Sequence, residues 1–309
     1  MRIAVIGAGA IGGFVGGLLA RGGHEVRLLA RGPHLDALRR GGLQVRSKQL
    51  GDFAPTVSAT DDPAELGAND LVVLSVKMYD FAPAAEAAKQ ALAPDGQALT
   101  LQNGLDAPDE LAGVVGRERV LVGTIAGEFT ILEPGIVGHL TPQHVATISP
   151  LDGGVTPRLD TLAETMKISG LNVSIVEDGM RALWQKACGL IPFATITAAA
   201  ECNLGEFMGQ PASRDLWEAL LAEIIAVGNA CGYDLHQPVA GWRAFAQRGI
   251  ETSPAFTSSL ARDLQAGRRT ELEWLTGKIV RLSVEKSVPA PVHRALYGVL
   301  KIKEAQRSS

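Results

Sequence analysis

Short runs of apolar residues, separated by polar and glycine-containing segments, mark the first half of the chain. The runs have the length and composition of buried strands and lie at residues 3–6, 24–30, 70–76, 98–101 and 120–125. Segments with a helical spacing of apolar residues lie between or after them, at 14–19, 35–40, 81–92 and 157–168. Strands that alternate with helices in this way predict an α/β fold built on an open sheet.

Weaker β patterns accompany these runs. Residues 43–46 and 55–59 alternate apolar and polar positions, which predicts a small hairpin or edge strands. Residues 129–147 contain β-prone pieces interrupted by glycine and proline, and we expect them to form antiparallel strands that extend the sheet. Residues 172–176 predict a last strand.

Helical periodicity dominates almost everything after residue 177. We therefore expect two domains, an α/β domain at residues 1–172 and a mostly α-helical domain at residues 173–309. Apolar positions in the terminal helices could form the interface of a homodimer, although this spacing more often faces a protein's own core.

A glycine motif follows the first predicted strand directly. Gly7, Gly9 and Gly12 have the G-x-G-x-x-G spacing, and a helix pattern begins immediately after them. In a dinucleotide site the first glycine makes the turn, the second lets the backbone approach a pyrophosphate, and the third allows close helix–strand packing. The pyrophosphate binds at the helix N-terminus. The first domain is therefore predicted to be a Rossmann-type dinucleotide-binding domain.

The end of the second predicted strand indicates which dinucleotide is bound. NAD-binding Rossmann units place an acidic residue there, which holds the ribose 2′-hydroxyl. This chain has Arg31 instead. A guanidinium binds a 2′-phosphate through two parallel hydrogen bonds, whereas a carboxylate would repel it. Arg31 favours NADP over NAD, with a solvated surface arginine as the alternative interpretation.

Two more polar residues follow predicted strands. Ligands of open α/β sheets bind beyond the carboxyl ends of the strands. Lys77, after the strand at 70–76, is placed to reach a cofactor phosphate or a substrate, or is a surface lysine. Asn103 lies in an Asn-Gly turn signal, and its amide could also hydrogen-bond the nicotinamide ribose or a substrate.

Composition narrows the class of protein. The 309 residues are 46% hydrophobic and 20% charged, with a formal net charge of −4. These values are typical of a soluble globular protein and argue against a general nucleic-acid binder. No apolar run approaches the length of a membrane span, and the N-terminal run is too short for a signal peptide, so we expect a cytoplasmic protein. The three cysteines match no zinc spacing, and no metal is expected.

Further segments make the pattern more specific. They are the N-terminal GAGAIG, Arg31, Val76-Lys77, Gln102-Asn103-Gly104, Leu183-Trp184-Gln185-Lys186, Thr257–Asp263 and Arg269–Glu273 with Gly277 after it. Taken in order, they resemble the ketopantoate reductase (2-dehydropantoate 2-reductase) family over nearly the whole chain. The resemblance implies NADPH-dependent reduction of a small 2-oxo acid, ketopantoate to pantoate, as in pantothenate biosynthesis.

The resemblance also implies a cofactor site. Its pyrophosphate residues would be Gly7, Gly9, Ala10, Ile11 and Gly12. Arg31 would bind the 2′-phosphate. Lys77 and Asn103 would line the cofactor end of a cleft, where Asn103 would also contact the substrate.

A substrate site is implied in the second domain. Lys186 would be the catalytic acid, and Glu271 would act with it and bind the substrate hydroxyl. Ser259 would bind the carboxylate region of the substrate, Ser258 would belong to the same substrate site, and Asn203 takes the place of a family asparagine. The residue types suit the reaction, because negative charge grows on the carbonyl oxygen during hydride transfer and an ammonium stabilises it and donates the proton.

Three positions depart from the family pattern. Asparagines are usual four and eight residues after the lysine, where this chain has Leu190 and Ala194, and Phe256 stands where a polar residue is expected. Apolar walls cannot satisfy the polar groups of ketopantoate as asparagines would. The remaining polar residues suffice, or the substrate is a different, more apolar 2-oxo acid.

Other functions remain open at this point. The same chemistry could serve an opine-type condensation with an amine. The chain could also be a non-catalytic NADP-binding redox regulator. Retention of Lys186 and Glu271 speaks against a regulator, because a sensor has no need of an acid and a carboxylate in its site.

Overall fold

A computed structural model describes residues 1–307. The chain divides into two compact units, the first covering Met1–Ala182 and the second starting at Leu183. The expected boundary after residue 172 lies ten residues earlier than this division. It would separate the strand Val173–Ile175 from the sheet of the first unit, to which that strand is hydrogen-bonded.

The first unit is an α/β domain with two sheets, and the mixed α/β fold class predicted from the sequence is confirmed. Its strands are β1 (Arg2–Ile6), β2 (Glu25–Leu29), β3 (Gln44–Ser47), β4 (Ser58–Thr60), β5 (Asn69–Leu74), β6 (Leu92–Thr100), β7 (Val120–Ala126), β8 (Phe129–Glu133), β9 (Ile136–His139), β10 (Val145–Pro150) and β11 (Val173–Ile175). Its helices are α1 (Ala10–Arg21), α2 (Gly32–Gly41), α3 (Phe81–Ala91), α4 (Ala107–Val115) and α5 (Pro157–Ile168).

The larger sheet has eight strands in the order β11-β10-β7-β6-β5-β1-β2-β4. All neighbouring pairs are parallel except β7 and β10. The central strands are parallel and buried on both faces, which explains why they read as continuous apolar runs such as Ile3–Ile6 rather than as alternating patterns.

The weaker β patterns follow the expectation in part. The strands β3 and β4 form no hairpin but are edge strands, the other expected arrangement: β4 pairs with β2 at the edge of the large sheet, and β3 pairs with β9 at the edge of the smaller one. Of the strands within residues 129–147, only β10 extends the large sheet. The strands β8 and β9 join β3 in a second, three-stranded sheet.

Helix α1 lies between the two sheets and is buried along most of its length. Its glycines make this possible. A Cβ on Gly16 would lie 3.0 Å from a methyl group of Val5 in the large sheet, and one on Gly17 would lie 3.0 Å from a methyl group of Val45 in the small sheet. Tight packing on both sides fixes where the N-terminus of α1 points.

The second unit is helical, as predicted. Its helices are α6 (Gly179–Ala200), which contains the division between the units, α7 (Leu204–Gly209), α8 (Pro211–Ala230), α9 (His236–Thr252), α10 (Ser259–Gln265), α11 (Thr276–Glu285) and α12 (Pro291–Arg307). Glu223 on α8 joins α12 to this core. Its carboxylate accepts hydrogen bonds from the backbone N–H groups of Val292 and His293 and from the His293 ring.

Candidate active site

The glycine loop after β1 has the geometry of a dinucleotide-binding turn. Gly7 adopts φ +94°, and a Cβ there would lie 2.8 Å from the backbone nitrogen of Val76. A Cβ on Gly12 would lie 2.2 Å from the Gly7 carbonyl oxygen. A Cβ on Gly9 would have no atom of residues 1–307 within 4 Å apart from those of its two chain neighbours. Two glycines are therefore required by the fold, and the third leaves open space above the backbone.

The first turn of α1 borders that open space. Gly9 is the N-cap, and the turn Ala10–Gly13 contains no acidic side chain. The N–H groups at the start of a helix have no partner within the helix and carry a partial positive charge. Ser75 steadies the loop, because its hydroxyl donates to the Gly7 carbonyl at 2.7 Å. These features fit a pyrophosphate group.

The other predicted cofactor residues follow neighbouring parallel strands. Arg31 comes after β2, Lys77 after β5 and Asn103 after β6. The strands β6, β5, β1 and β2 are adjacent and parallel, so their carboxyl ends lie at one edge of the sheet. The structure thus brings the three side chains to the edge that also carries the glycine loop.

Arg31 has a partner that the sequence did not reveal. Its guanidinium donates to a carboxylate oxygen of Asp80 at 2.5 Å, and 80% of the Arg31 side chain is exposed. A guanidinium has five N–H donors, so this pair leaves donors for an anion. An anion bound to Arg31 would nevertheless lie near the negative charge of Asp80.

In the second unit, Lys186 and Glu271 lie close enough for their charges to interact. Lys186 lies on α6, and Glu271 is buried in the turn before α11. Burial lowers the pKa of the Lys186 ammonium to about 8, while the charge of the Glu271 carboxylate acts in the opposite direction. The fold has brought together two residues that are far apart in sequence. An ammonium with this pKa can donate a proton near neutral pH.

The predicted polar substrate residues have structural hydrogen bonds of their own. The Ser258 hydroxyl accepts from the Ala261 N–H as the N-cap of α10 and shares a hydrogen bond of 2.8 Å with Thr197. Ser259 is the first residue of that helix. Asn203 caps α7 in a capping box with Glu206. Its substrate role rests on the resemblance alone.

The three apolar residues that depart from the family pattern lie on α6 or against it. Leu190 is half-buried one turn after Lys186 on α6, and Ala194 is buried one turn further. The ring of Phe256 stacks on Phe193, with centroids 5.3 Å apart and an interplanar angle of 12°. Trp242 and Phe245, which sequence reasoning missed, continue this aromatic contact.

Metal-binding clusters and membrane-spanning helices are both absent from the described part of the chain. Within residues 1–307 no group of three or more His, Cys, Asp or Glu side chains has a geometry that could hold a metal ion. Over the same residues, no helix combines the length and hydrophobicity needed to cross a bilayer.

Comparison with known proteins decides the family. Residues 3–153 match the family described as ketopantoate reductase PanE/ApbA, and residues 178–304 match its C-terminal part. The chain belongs to the ketopantoate reductase family. Membership confirms the resemblance seen in the sequence and makes the chain an oxidoreductase of the type that acts on a 2-oxo acid.

Relatives cover the whole chain. A 2-dehydropantoate 2-reductase of Halobacterium salinarum is 31% identical over 306 residues, which is 98% of this chain and 99% of that protein. The crystal structure of a PanE/ApbA family ketopantoate reductase from Ralstonia eutropha JMP134 is 32% identical, has a TM-score of 0.91 and covers 100% of both chains. A 2-dehydropantoate 2-reductase from Geobacter metallireducens GS-15 is 29% identical with a TM-score of 0.89, covering 98% and 99% of the two chains.

Proposed function

We propose that the chain reduces a 2-oxo acid to the 2-hydroxy acid with NADPH, and that Lys186 is the general acid. 2-Dehydropantoate, which would give pantoate, is the substrate that the names of the relatives favour. The observation that carries the proposal is the meeting of Lys186 on α6 with the buried Glu271, a position where burial lowers the pKa of the ammonium to about 8. Amines with such pKa values are typical of proton donors at neutral pH.

Residues of the first unit suit the cofactor. The open backbone at Gly9 and the N-terminus of α1 would take the pyrophosphate, with contacts from the N–H groups of Ala10, Ile11 and Gly12. The exposed guanidinium of Arg31 would take the 2′-phosphate. The bound cofactor would supply the hydride that the reaction requires.

Lys186 would handle the proton of the reaction. As the new C–H bond forms at the carbonyl carbon, the π electron pair of the C=O bond moves to oxygen. The Lys186 ammonium stabilises that charge and transfers its proton to the oxygen, which completes the hydroxyl. The neutral amine then takes up a proton from water, and its pKa near 8 makes this favourable at pH 7.

Glu271 would position the acid. Its carboxylate acts on Lys186 through charge, favours the protonated ammonium, and can accept a hydrogen bond from the substrate hydroxyl. Ser259 and Asn103 would contribute further polar contacts. Ser258 would support the site from beneath the substrate, because its hydroxyl is already hydrogen-bonded to Thr197 and to the Ala261 N–H. The same proposal assigns the first unit, Met1–Ala182, to the cofactor and the second unit, from Leu183, to the substrate. It also includes a cytoplasmic location and a homodimer.

The experiment compares Lys186→Met with the wild type and with Lys89→Met, which removes an exposed lysine of α3. NADPH oxidation in the presence of 2-oxo acids is followed at 340 nm, and NADPH binding is measured separately by fluorescence. We expect Lys186→Met to lose at least about a hundredfold in kcat while it binds NADPH as the wild type does, since general acids contribute that much. Turnover like that of Lys89→Met would contradict the proposed role of Lys186.

A further inference from the structure

An aromatic surface lies beside Lys186 on the same face of α6. Leu190 and Phe193 follow Lys186 at i+4 and i+7, so the three side chains share one helix face. Phe193 is buried, but Phe256 stacks on it and is only half-buried. Two backbone hydrogen bonds fix Phe256, one from its N–H to Ser253 and one to its carbonyl from Leu204.

Trp242 of α9 is held against the same helix. A Cβ on Gly189 would lie 1.9 Å from the Trp242 ring, so the indole packs directly on the helix backbone. The indole N–H donates to the Gln185 carbonyl at 3.2 Å. In the helix, Gln185 directly precedes Lys186, and Gly189 follows it by three residues. The ring is therefore fixed in position next to the turn that carries the lysine.

Phe245 connects the two ends of this surface. Its ring contacts Trp242 edge-on at 5.5 Å and Phe256 edge-on at 6.0 Å, and 40% of Phe245 is exposed. Trp242, Phe245, Phe256 and Phe193, defined here as the aromatic row, thus form a continuous series of ring contacts. Edge-to-face and stacked contacts hold such rings rigidly, and the exposed parts offer apolar area to a ligand.

Polar groups that could bind a hydroxylated side chain are scarce in this row. Leu190 and Phe256 offer none, and the Ser258 hydroxyl already bonds to Thr197 and to the Ala261 N–H. A substrate hydroxyl buried against this surface would lose its hydrogen bonds to water without replacement, which costs free energy. An aromatic side chain has no such cost and gains from burial.

We propose that this site takes 2-oxo acids with an aromatic side chain, whose ring packs on the aromatic row while the 2-oxo group meets Lys186. The inference rests on the proposed reduction of 2-oxo acids and specifies the substrate class. Phe256 and Phe245 are then residues that determine specificity.

The test compares kcat/KM for phenylpyruvate, 2-dehydropantoate and pyruvate with NADPH. We expect phenylpyruvate to exceed both of the others by at least about tenfold, the smallest effect usual for one apolar group in an apolar pocket. Pyruvate controls for the 2-oxo acid group without a large side chain.

Variants distinguish a role of the aromatic row in specificity from a general loss of folding or activity. Phe256→Asn introduces an amide and should lower the ratio of kcat/KM for phenylpyruvate to that for 2-dehydropantoate by at least about tenfold. Phe245→Leu, at a more exposed position, should lower the same ratio with less effect on folding. Tyr233→Leu is the matched control, because Tyr233 is a half-buried aromatic residue that stacks on Trp184 outside the aromatic row. The ratio should stay unchanged in this control.

The outcomes distinguish this inference from the proposed function. Turnover of 2-dehydropantoate equal to or better than that of phenylpyruvate overturns the aromatic specificity and leaves the reductase intact. An unchanged ratio in both Phe256→Asn and Phe245→Leu also overturns it. Absence of turnover with every 2-oxo acid refutes the reductase, and the inference with it.

Discussion

The pH dependence of reduction depends on the ionisation of Lys186. Its pKa is lowered from 10.5 to about 8 by burial. A general acid must be protonated, so kcat/KM for reduction should be nearly constant below pH 7 and fall tenfold per pH unit well above 8. The protonated fraction drops from about 90% at pH 7 to about 10% at pH 9, whereas a lysine with an ordinary pKa would stay almost fully protonated.

The assay measures kcat/KM for a 2-oxo acid from pH 6 to pH 10 at constant ionic strength, by NADPH oxidation at 340 nm. Oxidation of the 2-hydroxy acid should show the opposite trend, since the neutral amine accepts the proton. Lys186→Arg is the control, because a guanidinium stays protonated throughout this range. A profile for the wild type that stays flat to pH 10, or a fall near pH 8 that persists in Lys186→Arg, would refute the role assigned to Lys186.

The same pKa affects stability. Between pH 8 and 10.5 the unfolded chain binds more protons at Lys186 than the folded chain, so the free energy of unfolding rises with pH across that window. Below pH 8 the buried charge costs up to about 3 kcal/mol, at about 1.4 kcal/mol per pKa unit. This rise between pH 8 and 10.5, measured by urea denaturation, should be absent in Lys186→Met, which has no proton to bind at this position. A rise of the same size in Lys186→Met would contradict the lowered pKa of Lys186.

Three other predictions concern the cofactor site and the helical core. Arg31→Ala should weaken NADPH binding far more than NADH binding. Asp80→Asn should strengthen NADPH binding, because the carboxylate lies against the same guanidinium. If Arg31→Ala weakened the binding of both cofactors equally, Arg31 would not be at the 2′-phosphate site. Gly12→Ala should lower the melting temperature because its Cβ meets backbone at 2.2 Å, whereas Gly9→Ala should keep the melting temperature and weaken cofactor binding. Glu223→Gln should cost about 1–3 kcal/mol in urea denaturation, since the carboxylate accepts three hydrogen bonds at the start of α12; an unchanged midpoint would show that this cap is dispensable.

The parts of the fold that local pattern determines could be predicted from sequence. The run Ile3–Ile6, the glycine spacing after it and the helix that follows are contiguous, and each signal reinforces the next. The placement of Arg31, Lys77 and Asn103 at one edge follows from parallel strands alone. In the second unit, helical spacing predicted a mostly helical domain without indicating where its helices begin and end or how they pack.

Contacts between distant segments could not be predicted. The pairing of β3 with β9 joins residues 44–47 to residues 136–139, and nothing in either segment specifies the partner. Asp80 reaches Arg31 across 49 residues. The aromatic row draws on α6, α9 and the loop before α10, so its members have no common spacing. Phe256 was recognised only as a departure from a polar pattern, and its contact with Phe193 appeared in the structure.

The measurement that tests the central claim most directly is NADPH oxidation at 340 nm with 2-dehydropantoate and a panel of other 2-oxo acids, alongside an NADH control. The account predicts saturable turnover of at least one 2-oxo acid, with NADPH preferred over NADH. Tight NADPH binding without turnover of any acid in the panel would contradict it and favour a non-catalytic NADP-binding regulator.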